Sequence, residues 1–324
     1  NKLDKTILKG NIFFGTELVN FEKKFIKKYK SRFGVAVGSG TDAILISLKA
    51  LNIRSGDEII TAANTAIPTI SAIVNSGAIP KLVDVGEDYL IDTSKIEKLI
   101  TKRTKAIIPV HLYGQACDMS KILKIAKKYK IKIIEDCAQA QGAKYNKKFV
   151  GTLGDFGCFS FYPTKILGAY GDGGFITTKS YKDFLKIKRL RFYGIETINK
   201  KNLFYKKYYA NENGLNSRLD EIQSTILNIK LKHVDKYINK RIKLANLYLK
   251  YLKNTDVNLP KINKLKKHVF HLFTVSHPKR GEIIRMLEKE KIGTRIIYPY
   301  PINIMKGYKN FKFDDQNLKY SKKL

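Results

Sequence analysis

Gly34-Val35-Ala36-Val37-Gly38-Ser39-Gly40-Thr41-Asp42-Ala43-Ile44-Leu45-Ile46-Ser47-Leu48-Lys49-Ala50 reads as a buried strand, a glycine-rich turn and a helix. The strand, Gly34 to Gly38, is apolar without alternation, the pattern of a strand covered on both faces. Thr41 to Ala50 follows with Ala43, Ile44, Ile46 and Leu48 supplying the apolar positions of a helix. Glycines let the backbone turn tightly between the two, and free amides at a helix start face outward, where an anion is received. A turn of this kind also serves plain chain reversal.

Outward from this unit the same grammar repeats. Glu58 to Thr61, Pro80 to Asp84 and Ala106 to Val110 read as further strands, and Phe21 to Tyr29 as an amphipathic helix. Asp118 is placed to cap a helix from Met119 to Tyr129, which feeds the apolar strand Ile131 to Ile134. Strands alternating with helices predict an α/β fold with a mostly parallel central sheet. After Thr178 the pattern changes. Segment 180–210 is rich in Lys, Tyr and Phe with few turn markers and receives no element. Arg218 to Leu252 reads as one long helical stretch leading into a smaller C-terminal α+β domain. That domain would hold a strand over Val269 to Ser276, a helix over Gly281 to Glu290, and Thr294 to Tyr298. The expected division is a large domain over 1–230 and a small one over 231–324.

The formal charge of +34 is dispersed: Arg supplies only 10 of the 62 basic residues, and Lys occurs in every segment. Nucleic-acid binders gather basic residues on one face and favour Arg, so this dispersion speaks against a nucleic-acid partner. The same charge attracts an acidic small molecule such as a nucleotide-linked sugar. No apolar run approaches the roughly 20 residues that span a bilayer, and the start, Asn1-Lys2-Leu3-Asp4-Lys5, lacks the apolar stretch of a secretory signal. Cys117, Cys137 and Cys158 form no C-x-x-C pair, and Cys137 and Cys158 lie in apolar stretches as buried thiols. His268 and His271 are three apart but have no carboxylate or thiolate nearby in sequence, so no metal site is expected. The expectation is a soluble cytoplasmic protein with no membrane partner.

Three more stretches carry chemistry beside the glycine turn. Ile133-Ile134-Glu135-Asp136-Cys137-Ala138-Gln139-Ala140 puts a carboxylate beyond an apolar strand, where open α/β sheets bind ligands; a helix cap is the plainer reading. Gly157-Cys158-Phe159-Ser160-Phe161-Tyr162-Pro163-Thr164-Lys165 sets one lysine between an aromatic strand and the glycine-dense loop Gly168 to Gly174. Desolvation there lowers a lysine pKa, as an imine-forming amine needs. Gly214-Leu215-Asn216-Ser217-Arg218-Leu219-Asp220-Glu221 opens the long helix, and a simple helix start explains it equally well.

These stretches together resemble the DegT/StrS (DegT/DnrJ) family of nucleotide-sugar aminotransferases that use pyridoxal 5'-phosphate (PLP), a branch of the aspartate-aminotransferase (type I) fold. The resemblance runs from about Gly15 to Tyr308 and includes Ala62 to Thr69 and Pro109 to Gln115. It implies that Lys165 bonds covalently to the cofactor, that Asp136 pairs with the pyridine nitrogen, and that Gln139 lies near the ring hydroxyl. Gly40, Thr41 and Asp42 would form the phosphate turn, helped by Ser160, and Asn216 would reach the phosphate of a neighbouring subunit. A homodimer with composite sites follows, with L-glutamate as amino donor and a nucleotide-linked keto-deoxysugar as acceptor, a dTDP-3-keto-6-deoxyhexose. Lysine, where some members carry histidine, implies amination instead of dehydration. A GDP-linked sugar, a keto-cyclitol, or a non-catalytic regulatory role are the alternatives. The chain departs from the family's pattern at Ala66, where an aromatic ring is usual, and at Ile297 and Asn303, where histidines are expected near the sugar. It also ends sooner than a typical relative, which suggests a shortened C-terminus.

Overall fold

Apolar runs too short for a helix become strands once covered on both faces, and seven of them form the centre of the protein. The computed structural model describes residues 2–195, 209–311, 313 and 317–323. Helices α1 (Lys2–Leu8) and α2 (Thr16–Tyr29) precede β1 (Phe33–Val37) and α3 (Gly40–Ala50). Then come β2 (Glu58–Ala62), α4 (Ile67–Asn75), β3 (Ile79–Val83), β4 (Thr104–Ile108), α5 (Met119–Tyr129) and β5 (Lys132–Asp136). A small hairpin of β6 (Lys144–Tyr145) and β7 (Lys148–Phe149) leads to β8 (Phe156–Ser160), β9 (Gly174–Thr178) and α6 (Tyr181–Leu190). The sheet order is β1-β9-β8-β5-β4-β2-β3. Only β9 runs against its neighbours, pairing antiparallel with β1 and β8. The C-terminal ends of β1, β2, β4, β5 and β8 therefore share one edge.

Both faces of the sheet are covered, which is why its strands lack polar alternation. On one face α2, α5 and β-strand side chains enclose Phe21, Phe25, Phe159, Phe161 and Phe175; each such ring contributes on the order of 2 kcal/mol on burial. On the other, α3, α4 and α6 pack Ile44, Ile46, Leu48, Ile70, Ile73 and Ile187 against the strands. The expected α/β fold with a mostly parallel sheet is what forms.

Past the sheet, two expectations need correction. The stretch from Arg218 to Leu252 is two helices, α7 (Glu221–Leu231) and α8 (Val234–Tyr251). The His233 amide closes a turn on Lys230 at 2.9 Å. Leu231 and Val234 on either side are both buried, so the apolar pattern runs through the break without a Gly or Pro to mark it. Val269 to Ser276 is not a strand. Its Val269 and Leu272 amides donate to the carbonyls of Gly114 and Tyr113, so its backbone is tied to a loop of the large sheet. The described C-terminal elements are β10 (Lys266–Lys267), which joins β6 and β7, then α9 (Arg280–Lys289) and α10 (Lys319–Lys323). Thr294 to Tyr298 is irregular. In segment 180–210, residues 196–208 lie outside the described residues. Among the described residues no helix is long and apolar enough to cross a membrane.

Candidate active site

The turn after β1 is built for an anion. Ser39 caps α3, its Oγ accepting from the Asp42 amide at 3.0 Å. The amides of Gly40 and Thr41, first in the helix, have no carbonyl one turn back to bond. Ser160, at the end of β8, lies so close that a Cβ on Gly40 would come within 2.7 Å of the Ser160 Cβ. Glycine at 40 is therefore what lets the helix start sit against that hydroxyl. Two amides, the Thr41 and Ser160 hydroxyls and the positive end of α3 suit a phosphate. Asp42 is engaged elsewhere: its amide goes to Ser39, and its carboxylate accepts from Ser217 Oγ at 2.7 Å. That same Ser217 oxygen accepts from the Gly38 amide at 2.8 Å, so Asp42 and Ser217 brace the turn.

Two adjacent acids end β5 and face opposite ways. Glu135 Oε1 accepts the amides of Leu153 and Gly154, each at 2.8 Å, and its Oε2 accepts that of Gly151 at 2.9 Å. His111 completes the shell. Its Nδ1 accepts from the Cys117 amide at 3.0 Å, so its proton sits on Nε2 and is donated to Glu135 at 3.0 Å. His111, Glu135 and Cys137 lie within 4.8 Å of one another, a spacing that a metal ion would also suit. Yet the lone pairs of His111 and Glu135 are already taken, and burial holds the Cys137 thiol protonated. We read this cluster as the fastening of β5 to the β7–β8 loop. Asp136 points the other way. Its Oδ2 accepts from Thr69 Oγ1 at 2.8 Å and its Oδ1 from the Ala138 amide at 3.0 Å, while Thr65 Oγ1 lies 3.1 Å from that of Thr69.

Lys165 stands in the loop leaving β8. Its amide bonds to the Tyr162 carbonyl at 2.9 Å, and the loop closes where Ala169 donates to Phe161 at 2.7 Å. A Cβ on Gly168 would press within 2.4 Å of the Pro163 carbonyl oxygen, so the turn needs glycine there. The ε-amine makes no hydrogen bond or ion pair among the described residues. Desolvation lowers its pKa below the ordinary lysine value, against the opposing pull of Asp136. An amine biased toward its uncharged form, near a fixed carboxylate, suits imine chemistry.

The opposite wall belongs to Gln139. Its Oε1 accepts the Tyr113 amide at 2.7 Å and its Nε2 donates to Tyr298 Oη at 2.8 Å. Tyr113 holds a left-handed backbone, φ 58°, uncommon for a bulky residue. Its hydroxyl donates to the Ile297 carbonyl, gripping the chain beside Tyr298. His271 is buried nearby; desolvation first, then Lys165 and Arg241, push its pKa down to about 3, so the ring is neutral.

The structure thus brings Lys165, Asp136, Gln139, Gly40, Thr41 and Ser160 to one edge of the sheet. Asn216 is exposed and bridges Phe192, facing outward. Thr69, Tyr113 and Tyr298 were not among the expected site residues. Thr69 and Tyr113 lie in segments quoted for the resemblance, and Tyr298 lies between the places where histidines were expected. A phosphate cradle, a desolvated amine and a carboxylate free to face a ring nitrogen are the three demands of PLP, and these residues fit it.

Comparison with known proteins gives the same picture. A family model described as the DegT/DnrJ/EryC1/StrS aminotransferase family matches residues 1–324. A dTDP-3-amino-3,6-dideoxy-alpha-D-galactopyranose transaminase of Aneurinibacillus thermoaerophilus is 44% identical over 96% of this chain and 83% of its own length. A dTDP-3-amino-3,4,6-trideoxy-alpha-D-glucose transaminase of Micromonospora megalomicea subsp. nigra is 40% identical over 94% of this chain and 81% of its own. The crystal structure of S. venezuelae DesV in complex with a ketimine intermediate superposes with a TM-score of 0.93 and 35% identity, over 99% of this chain and 84% of that one.

Proposed function

The chain belongs to the DegT/DnrJ/EryC1/StrS aminotransferase family, and on that premise we propose that it transfers an amino group from L-glutamate to a dTDP-linked 3-keto-6-deoxyhexose. The observation that carries this reading is the gathering at one sheet edge of Lys165, whose pKa desolvation lowers, with Asp136 and the cradle of Gly40 and Ser160. The acceptor class rests on the two dTDP-sugar transaminases at 40% and 44% identity.

When bound, PLP supplies an aldehyde that takes up nitrogen and a ring that absorbs charge from the carbon losing its proton. Gly40, Thr41 and Ser160 would hold its phosphate. Asp136, fixed by Thr69 and the Ala138 amide, would keep the ring nitrogen protonated. Gln139 would offer its remaining amide proton to the ring hydroxyl. Lys165 Nζ takes the α-proton of the amino donor and, in the reverse sense, returns a proton to the sugar carbon that has acquired nitrogen.

The active unit of this proposal is a homodimer in which Asn216 completes the partner's phosphate site. Exposed aromatic side chains support it: Phe13, Tyr162 and Tyr170 are 41%, 52% and 77% exposed, and Arg218 stacks on Phe13 at 4.3 Å, two residues from Asn216. We keep the division into domains at 1–230 and 231–324 within the same proposal. Three unpaired cysteines are in keeping with a cytoplasmic enzyme. Borohydride reduction of the PLP-loaded protein should fix the cofactor on Lys165. The Lys165→Ala variant should lose both that adduct and the glutamate-dependent change in absorbance. Retention of either would overturn the assignment.

A further inference from the structure

The histidines expected near the sugar, at 297 and 303, are absent, and the hydrogen-bond pattern around Gln139 shows what stands in that region. The side-chain amide of Gln139 has one orientation only. Its oxygen accepts the Tyr113 N–H at 2.7 Å, a backbone group that is always a donor, so its NH2 faces the other way. One of those protons goes to Tyr298 Oη at 2.8 Å. Tyr298 is therefore an acceptor toward Gln139, and its own proton is directed elsewhere.

The surrounding geometry holds that direction. Tyr113 grips both ends of the arrangement, its amide on Gln139 and its hydroxyl on the carbonyl of Ile297, immediately before Tyr298. It does so from a left-handed backbone conformation that a tyrosine adopts only when its surroundings compel it. Burial, with Asp136 adding to it, raises the Tyr298 pKa above the ordinary phenol value, so the hydroxyl remains a donor. The opening beside it is a cavity of about 610 Å³ that Asn64, Tyr89, Tyr113 and Tyr298 line on the sheet side. Arg280, Arg295 and Lys323 lie on its other walls. Such a cavity is far larger than an amino-acid donor needs, and the cations among its lining residues suit a diphosphate.

We propose that Tyr298 orients the keto sugar, donating its hydroxyl proton to a sugar oxygen while Gln139 fixes the phenol from behind. This rests on the aminotransferase reading above and adds a specificity-determining residue to it. The phenol offers a polar contact beside position 297, and through Gln139 it would tie recognition of the sugar to the cofactor ring.

The test separates the two half-reactions of the PLP-loaded enzyme. Glutamate alone first checks the aminotransferase reading on the unmodified protein: absence of a spectral change sinks that reading and this inference with it. With that change in hand, Tyr298→Phe should slow the keto-sugar half-reaction about ten-fold more than the glutamate half-reaction, the loss of one neutral hydrogen bond. It should also weaken binding of the dTDP-amino-sugar product to the cofactor-free protein about ten-fold, while dTDP alone binds as before. Calorimetry reads the second effect without turnover. Equal slowing of both halves, or unchanged product binding, would show that the phenol serves only the wall and would overturn the proposal. A shift of the bound-cofactor absorbance in Tyr298→Phe would assign the proton to the cofactor instead, and overturns it as well.

Discussion

Asp136 and Lys165 divide the chemistry between a fixed charge and a mobile proton, and each makes its own prediction. Asp136→Asn should lower the single-turnover rate with glutamate by about 100- to 1000-fold, the scale of losing one preorganised charge partner. Thr69→Val, which frees one carboxylate oxygen, should cost about ten-fold. A Thr69→Val rate equal to that of the unmodified protein would leave that hydrogen bond without a role. For Lys165 the sign follows from desolvation: the neutral amine is populated at lower pH than in an ordinary lysine. Uptake of PLP by cofactor-free protein should therefore rise with pH through a midpoint below 10.5, the ordinary lysine value. Stopped-flow absorbance across pH checks it, and a midpoint at the ordinary value contradicts the desolvated site. Both residues stood out by their place after an apolar strand, while their roles came from the resemblance, since a helix cap is the plainer local reading at Asp136. Tyr113 and Tyr298 were not. A left-handed φ at a tyrosine and a hydrogen bond spanning 159 positions leave no trace in neighbouring residues.

At the level of elements, Glu221 shows how a helix start in one place closes another elsewhere. It opens α7, yet its carboxylate accepts the amides of Gly15, Glu17 and Leu18 at 2.9 to 3.1 Å, capping α2 across the structure. Glu221→Ala should destabilise the protein by about 2 kcal/mol, through three orphaned amides at the start of α2. Denaturant unfolding with an unchanged slope measures it, and a loss within error of zero would mean water replaces the cap. Strands and helices of the large sheet were readable because β1 is a continuous apolar run, β2 and β5 are centred on Ile59-Ile60 and Ile133-Ile134, and Asp118 caps α5 as its spacing implied. The α7–α8 break and the Val269 to Ser276 stretch were not. The first is a local turn of His233 on Lys230 and the second is decided by the distant backbone of Tyr113 and Gly114, and neither carries a Gly or Pro.

For the molecule as a whole, the proposed dimer has a sharp consequence. If Asn216 serves the partner's site, Lys165→Ala in one subunit and Asn216→Ala in the other fall in the same composite site of a mixed dimer. One site of each mixed dimer then carries both lesions and the other carries none. Refolding the two variants together should give roughly a quarter of full activity from the intact sites of mixed dimers, by random pairing across such an isologous interface, on top of what each variant retains alone. No recovery would place the whole site within one subunit. The tyrosine wall has a further consequence, an optical one. The chain contains 19 tyrosines and no tryptophan, so its ultraviolet emission comes from phenols alone. Tyr89 and Tyr113 lie 5.7 Å apart and, with Tyr298, stand beside the residues that would hold the cofactor. A pyridoxal ring there would draw off their excited-state energy, making the dimming of native fluorescence a label-free gauge of how fully the protein is loaded.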